Sequence, residues 1–394
     1  MAEHEAGVVV IGAGARGTSA AWHLAKAGVD VTLVEKGGIT AGTSGATFAL
    51  VNAMDKEPAS YSALSLISAN MCIGLADELG VDIEYHRAGG LRLCETEAEL
   101  PVVLSWMERM KPVEGLSLNF LSQAELRELE PALSHHIYGA VYSDIDGHVN
   151  PFKLTAAYAD AAKRLGARIM THTDVKGITV KDGEVRAVVT SNGTIRTKTV
   201  VNAAGIGVPD IGNMVGLTIP LGVSRGQVVT TEAVPHLFNC AFVGTFQQTA
   251  NGNVLIGSTN EVVGYTRQVT CQPITRIIQK AVRMVPALRE VSAIRLWAGL
   301  RPMPVDGLPI LGFVPYVKGF IMATGHSGIS LAQVTGKIVA DLVTTGKSSI
   351  PIAEWDFMRF TGYQHAYAVE AYNVFRATHN RPPTPAVAYL ASRP

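Results

Sequence analysis

The sequence predicts an α/β fold in which a Rossmann-like dinucleotide-binding domain is interleaved with an antiparallel-sheet α+β domain. Three observations carry this expectation. Residues 8 to 36, VVVIGAGARGTSAAWHLAKAGVDVTLVEK, spell strand, glycine turn, helix, strand and terminal acid. Strand and helix patterns alternate again from Asp146 to about Ile206, and from Gly319 to Gly346, as a sheet with parallel crossovers requires. Between those stretches, residues 219 to 298 read mainly as strands.

In the first unit, Val8 to Ile11 is short, apolar and β-branched, as suits a buried parallel strand. Gly12, Gly14 and Gly17 follow at GxGxxG spacing. Gly12 serves the tight turn, Gly14 the close approach of backbone to phosphate oxygens, and Gly17 the packing of helix on strand. The unpaired amides and positive dipole end of the helix favour a pyrophosphate. After the second strand, Glu35 arrives where a carboxylate accepts hydrogen bonds from both ribose hydroxyls and repels a 2'-phosphate. Ala13 and Lys36 complete the cofactor-binding set of this unit. FAD or NAD is favoured over NADP, and the unit alone does not separate those two.

The loop AGTSGATFALVNA at 41 to 53 comes next, then a helical pattern from Pro58 to Gly80 with Leu64, Ile67, Met71 and Leu75 on one face. Pro58 suits a first helical turn. From Asp82 to about Tyr142 the pattern changes to short strands and a charged helix whose Ser122 and Glu125 fit a capping box. The stretch from Asp146 to TVVNAAG returns to the nucleotide sheet. The strands of 219 to 298, with a helix around Arg276 to Met284, form a second, antiparallel sheet that covers the cofactor. Residues 1–85, 143–218 and 299–347 are thus assigned to the dinucleotide domain and 86–142 and 219–298 to a substrate domain. Residues 348–394 form a C-terminal extension. Its Tyr363, Tyr367, Tyr372 and Phe375 recur at helix-like intervals, read as a helix packed on the body in preference to a wall for a longer substrate or a homo-oligomer contact.

At 394 residues with 47% hydrophobic side chains, the chain can bury two cores. Lysine plus arginine equals aspartate plus glutamate at 33 each, so no net field steers nucleic acid or an acidic membrane toward it. A small partner is expected. Cys72, Cys94, Cys240 and Cys271 lack CxxC spacing and read as buried thiols. The acidic start, with Glu3 and Glu5, carries no signal-peptide pattern, and no apolar stretch reaches the roughly 18 residues of a membrane span. A cytoplasmic location is the expectation.

Seven landmarks then occur in a recognisable order: the fingerprint with Glu35, GTSGA from Gly42, DGHVNP from Asp146, VVNAAG from Val200, SRGQ from Ser224, GLRPMPVDGLPILG from Gly299 and ATGHSG from Ala323. Over about residues 7 to 360 the chain resembles the FAD-dependent amino-acid oxidase superfamily, which includes glycine oxidase, monomeric sarcosine oxidase, D-amino-acid oxidase and opine and hydroxyproline dehydrogenase subunits. Glycine oxidase and the opine-type subunits are the better match. The resemblance implies a glutathione-reductase-type FAD domain. It also implies non-covalent FAD, because Gly299 stands where the flavin-linking cysteine of sarcosine oxidase falls.

The same resemblance implies that Arg301 binds a substrate carboxylate, a role for which a guanidinium offers two parallel donors. It places His326, in the ATGHSG loop with Gly325, beside the flavin pyrimidine. Amides around Gly328 and Ile329 would there stabilise charge on the reduced ring. A direct role for the His326 side chain is left open against simple satisfaction of backbone carbonyls. Thr43, Ser44 and Gly45 are expected near the pyrophosphate or flavin, Val175 at the adenine, and Ala204 and Gly205 where backbone approaches the cofactor. Arg225 ranks below Arg301. Asp146, His148, His135 and His136 complete no metal-ligand spacing.

No Ser-His-Asp order or paired catalytic carboxylates occurs, which suits chemistry carried by a flavin. The implied reaction is hydride transfer from Cα of glycine, sarcosine or an N-carboxymethyl amino acid to flavin N5. Imine hydrolysis would follow, with oxygen reduced to hydrogen peroxide. A dehydrogenase subunit passing electrons to a partner is the alternative, and a non-catalytic flavoprotein module is a third reading.

Overall fold

The computed structural model describes residues 3–360. The aromatic run from Tyr363 to Phe375, and with it most of the expected C-terminal extension, lies outside them.

A six-stranded sheet organises one half of the molecule, in the order Ile310–Phe313, Phe320–Thr324, Val200–Asn202, Val8–Ile11, Val31–Val34, Arg168–Met170. Neighbours run parallel except at the outer Ile310–Phe313 and Phe320–Thr324 hairpin. Because side chains alternate across a strand, the unbroken apolar run Val8–Ile11 feeds two cores. Val8 and Val10 pack under the helices Ala15–Lys26, Pro151–Arg164 and Ala332–Thr345, whereas Val9 and Ile11 join Val188, Ile195 and Phe320 on the opposite face. A four-stranded sheet covers that face, in the order Glu3–Glu5, Gly193–Arg196, Glu184–Thr190, Val175–Lys181. Glu3–Glu5 is a strand the polar sequence does not announce; it pairs parallel to Gly193–Arg196.

The second large sheet has eight strands, ordered Ala293–Pro304, Leu221–Ala233, Asn253–Gly257, Phe246–Gln248, Ala241–Phe242, Gly90–Cys94, Gly139–Ser143, Asn119–Ser122. It is antiparallel apart from the Ala241–Phe242 and Gly90–Cys94 pair. Phe238, Phe242 and Phe246 stack in its core beneath the helix Cys271–Met284.

Three expectations need correcting. The boundary drawn at 298/299 falls inside one strand: Ala293–Pro304 pairs with Leu221–Ala233 along its length, so Gly299–Pro304 lies in the second sheet. The helix expected from Pro58 to Gly80 is two, Ala59–Asn70 and Leu75–Leu79, separated at Gly74 with φ +74°. Cys271 is exposed while the other three thiols are buried. The capping box forms as read: Ser122 Oγ accepts from the Glu125 amide and Glu125 accepts from the Ser122 amide at 2.7 Å.

Candidate active site

The carboxyl ends of Val8–Ile11, Val31–Val34 and Val200–Asn202 meet at the glycine turn. Gly12 adopts φ +107°, and a Cβ there would stand 2.5 Å from the Ala203 carbonyl oxygen. A Cβ on Gly17 would overlap the Gly12 carbonyl oxygen, so helix Ala15–Lys26 can approach the strand only with glycine at this point. Gly14 caps that helix and faces the Ser44 hydroxyl, which accepts from the Ala15 amide at 3.0 Å. Glu35 turns its carboxylate onto the rim: Oε2 accepts from the Ala13 amide at 2.9 Å and Oε1 from the Gly37 amide at 2.7 Å. Lys36 beside it is exposed.

Ser44 belongs to a 3-10 turn, Thr43–Ala46, that links this cradle to the second sheet. The Thr43 hydroxyl donates to the Leu300 carbonyl at 2.7 Å, and the Trp297 indole donates to the Ala46 carbonyl at 3.2 Å. Gly45 lines a cavity of about 210 Å³ that Thr47, His86, His148, Gln247 and Trp297 also border. Ala204 and Gly205 follow the central strand Val200–Asn202, with Gly205 at φ +59° facing Thr43. Val175 begins its strand two residues after Thr173, whose amide donates to the Glu35 carbonyl at 2.8 Å.

Arg301 stands on the second sheet, in the strand anchored by Thr43. Its register partner is Ser224, and the neighbouring Gly226 leaves the space its guanidinium occupies; any side chain at 226 would overlap Arg301. The guanidinium donates to the Thr259 carbonyl at 3.0 Å and to Ser258 Oγ at 2.6 Å. Both partners are neutral. Among the described residues no carboxylate pairs with Arg301. Burial lowers its pKa to about 10, opposed by the field of Glu261, so it stays cationic at neutral pH. Arg225 differs: it pairs with Glu261 at 2.7 Å and donates to the Gln268 carbonyl at 2.7 Å.

The candidates for the flavin side lie in the loop after Phe320–Thr324. Gly325 takes φ +131° and Ser327 φ +57°. His326 is half-buried with Nδ1 3.2 Å from Ser327 Oγ, and its carbonyl accepts from Arg16 at 2.7 Å. Gly328 and the buried Ile329 lead into helix Ala332–Thr345, and the Leu331 amide closes the turn on the Ser327 carbonyl at 3.0 Å. Arg301 and His326 thus belong to different elements, one to a strand of the second sheet and one to a helix-entry loop.

The remaining candidates are structural. Asp146 is buried, with Oδ1 accepting from the Ala53 amide at 2.7 Å and the Met54 amide at 3.2 Å; burial raises its carboxyl pKa to about 7. His148 lies 5.2 Å from His86, ring to ring, and burial lowers its pKa to about 4. His135 and His136 are exposed. No cluster of three or more metal-ligating side chains occurs among the described residues.

A family model described as FAD dependent oxidoreductase, DAO, matches residues 7–342. The chain belongs to the DAO family. Subunit HcnC of hydrogen cyanide synthase from Pseudomonas aeruginosa is 35% identical over 304 residues, 75% of this chain and 73% of that protein. Glycine oxidase from Geobacillus kaustophilus is 31% identical over 372 residues, 91% of this chain and 98% of the oxidase. Among solved structures, L-proline dehydrogenase from P. horikoshii superposes with a TM-score of 0.86 at 26% identity, covering 92% of this chain and 99% of that one.

As a DAO member the chain uses FAD, and its residues fit that cofactor. The glycine turn leaves no Cβ between backbone and a pyrophosphate, and Glu35 presents its carboxylate where the second strand ends. Arg16 was not anticipated. It is 6% exposed, with Nε and Nη1 lacking any hydrogen-bond partner among the described residues. The signal was present: a charged residue occupied a variable position of the GxGxxG turn, where its neighbours on both sides are small and buried. No described helix is long and apolar enough to cross a membrane.

Proposed function

We propose that this flavoprotein oxidises a small amino acid or N-substituted glycine of the glycine, sarcosine or N-carboxymethyl amino acid type. The observation that carries this reading is Arg301, a half-buried guanidinium held by two neutral oxygens on the strand that the cofactor loop grips. A cation so placed is completed by an incoming carboxylate, and Gly226 supplies the room that fixes its direction. Bound without a covalent link, FAD would supply a two-electron acceptor for hydride from Cα–H, which would leave an imine for water to split into glyoxylate and the freed amine. Arg301 orients, so that proximity supplies much of the acceleration. The backbone around Gly328 and Ile329 faces the charge that develops, and His326 braces its loop. Molecular oxygen would take the two electrons and two protons and leave as hydrogen peroxide. Glycine oxidase among the relatives supports this acceptor.

A second reading has its own support. HcnC is named as a subunit and the P. horikoshii structure as a dehydrogenase. In that case the electrons pass to another protein.

The deciding experiment is an anaerobic screen of glycine, sarcosine, N-carboxymethyl amino acids, D-amino acids and prolines for bleaching of the bound flavin, followed by a peroxide assay under air. Bleaching by one of these acids with peroxide release is the expected result. Bleaching without peroxide selects the dehydrogenase reading, and no bleaching by any of them overturns both.

A further inference from the structure

Arg16 is buried where protein charge should be least welcome. It lies in the first turn of helix Ala15–Lys26, and it donates to the His326 carbonyl in the loop that enters helix Ala332–Thr345. Both helices direct their positive dipole ends to this region, which disfavours a cation. No described carboxylate pairs with it, and two of its three guanidinium nitrogens are buried without partners. Burial lowers its pKa to about 10, with the Tyr61 phenol opposing, so the charge persists at neutral pH. Nor is the surrounding region acidic. Tyr61 donates to Ser327 Oγ at 3.1 Å and Lys56 Nζ reaches the same oxygen at 3.0 Å. A buried, uncompensated ion is expensive to keep unless an anion completes it.

We propose that Arg16 is the fixed counter-charge for the extra negative charge that FAD acquires on reduction, acting from behind the His326 loop as a positioning and potential-setting residue. A hydride delivered to neutral oxidised flavin leaves one negative charge on the ring system. The pyrophosphate charge, by contrast, is the same in both redox states. A cation serving the reduced ring therefore binds reduced FAD better than oxidised FAD, and one serving only the phosphates binds both equally. This inference rests on the use of FAD and not on any particular substrate.

The test is a midpoint potential measured on holoprotein by equilibration with reducing dyes, with no amino acid present, alongside the affinity for oxidised FAD. Wild-type protein should hold the flavin above the potential of free FAD. Arg16→Met should lower the preference for the reduced form by tenfold or more, about 30 mV for this two-electron couple, while oxidised FAD binds within threefold of wild type. Arg16→Lys, which keeps the charge, should retain most of the potential. A wild-type potential at or below that of free FAD overturns the proposal. So does an Arg16→Met potential equal to wild type, including the case where FAD affinity alone collapses. Should Arg16→Met not fold, the wild-type potential and that of Arg16→Lys still decide, since a drop of tenfold or more with the charge intact contradicts an electrostatic role. Failure of the substrate screen would leave these potentials untouched, so the two readings fail separately.

Discussion

The cradle at the head of helix Ala15–Lys26 meets its ligand with backbone, whereas the sheet face around Arg301 offers one side chain. In the cradle the donors are amides that side-chain substitutions other than proline leave in place, and the sensitive feature is space: Gly12 and Gly17 each face a carbonyl oxygen where any Cβ would stand. On the sheet the sensitive feature is charge, and space matters only at Gly226, which the guanidinium overlies. The lesson is that loss of function should look different in the two places. Damage to the cradle should remove cofactor and stability together; damage at Arg301, on the function proposed above, should leave a yellow, folded protein that handles its substrate badly.

The largest effect is expected at Gly17. Gly17→Ala forces a methyl into the Gly12 carbonyl and should cost about 3 kcal/mol of stability, at the upper end for overpacking. Denaturant melts and the flavin content of purified protein measure this, and normal FAD occupancy in the variant would break the comparison. Next comes Arg301→Gln, which should keep FAD and normal stability. Losing a charge pair of about 2 kcal/mol or more lowers kcat/KM by at least about 30-fold; an unchanged value would remove Arg301 from the substrate site. Glu35→Gln tests the carboxylate that binds two amides of the cradle rim. It weakens hydrogen bonds to a charged acceptor worth roughly 1.5 kcal/mol, so FAD should bind about tenfold more weakly by fluorescence titration.

The smallest effect lies outside both regions. Asp146 has a folded-state pKa of about 7, raised by burial from 3.8. A raised carboxyl pKa means its contribution to stability is fully present below the unfolded value and is lost as pH rises through the folded one. Relative to wild type, Asp146→Asn should gain stability between pH 4 and pH 7 and hold that gain above. After relaxation the gain is about 1 kcal/mol. Thermal melts across that range check the sign, and a relative loss with rising pH would show that the buried carboxylate is better satisfied than its unpartnered Oδ2 indicates.

The parts readable from sequence were those whose physics is local. Gly12, Gly14, Gly17 and Glu35 sit within one strand-helix-strand unit, so spacing alone fixes their geometry, and the Ser122 and Glu125 cap spans four residues. The return of Val200–Asn202 to the nucleotide sheet followed from its apolar run and the alternation around it, and the structure places it between two parallel neighbours. What spacing does not encode is pairing between distant strands. The Ala293–Pro304 strand looks like two segments because its apolar pattern changes near Gly299, while its pairing with Leu221–Ala233 continues without a break there. Gly226 gains its meaning only from Arg301 across that pairing. Arg16 stands at a position that the GxGxxG spacing leaves unassigned, and its partner, the His326 carbonyl, comes from a loop hundreds of positions away. Glu3–Glu5 is polar and looks like a tail because its stabilisation comes from the edge of a sheet built much later in the chain.

The Thr43–Ala46 turn is stitched to Trp297 and Leu300 by two hydrogen bonds, within four residues of Arg301. A shift of this turn on loading the protein with FAD would therefore carry to the strand that aims the guanidinium. The opposite rim is held differently: the guanidinium leans on Ser258 Oγ and on the Thr259 carbonyl, so a side-chain change at Ser258 would alter the aim of Arg301 while leaving the two bonds of the seam in place.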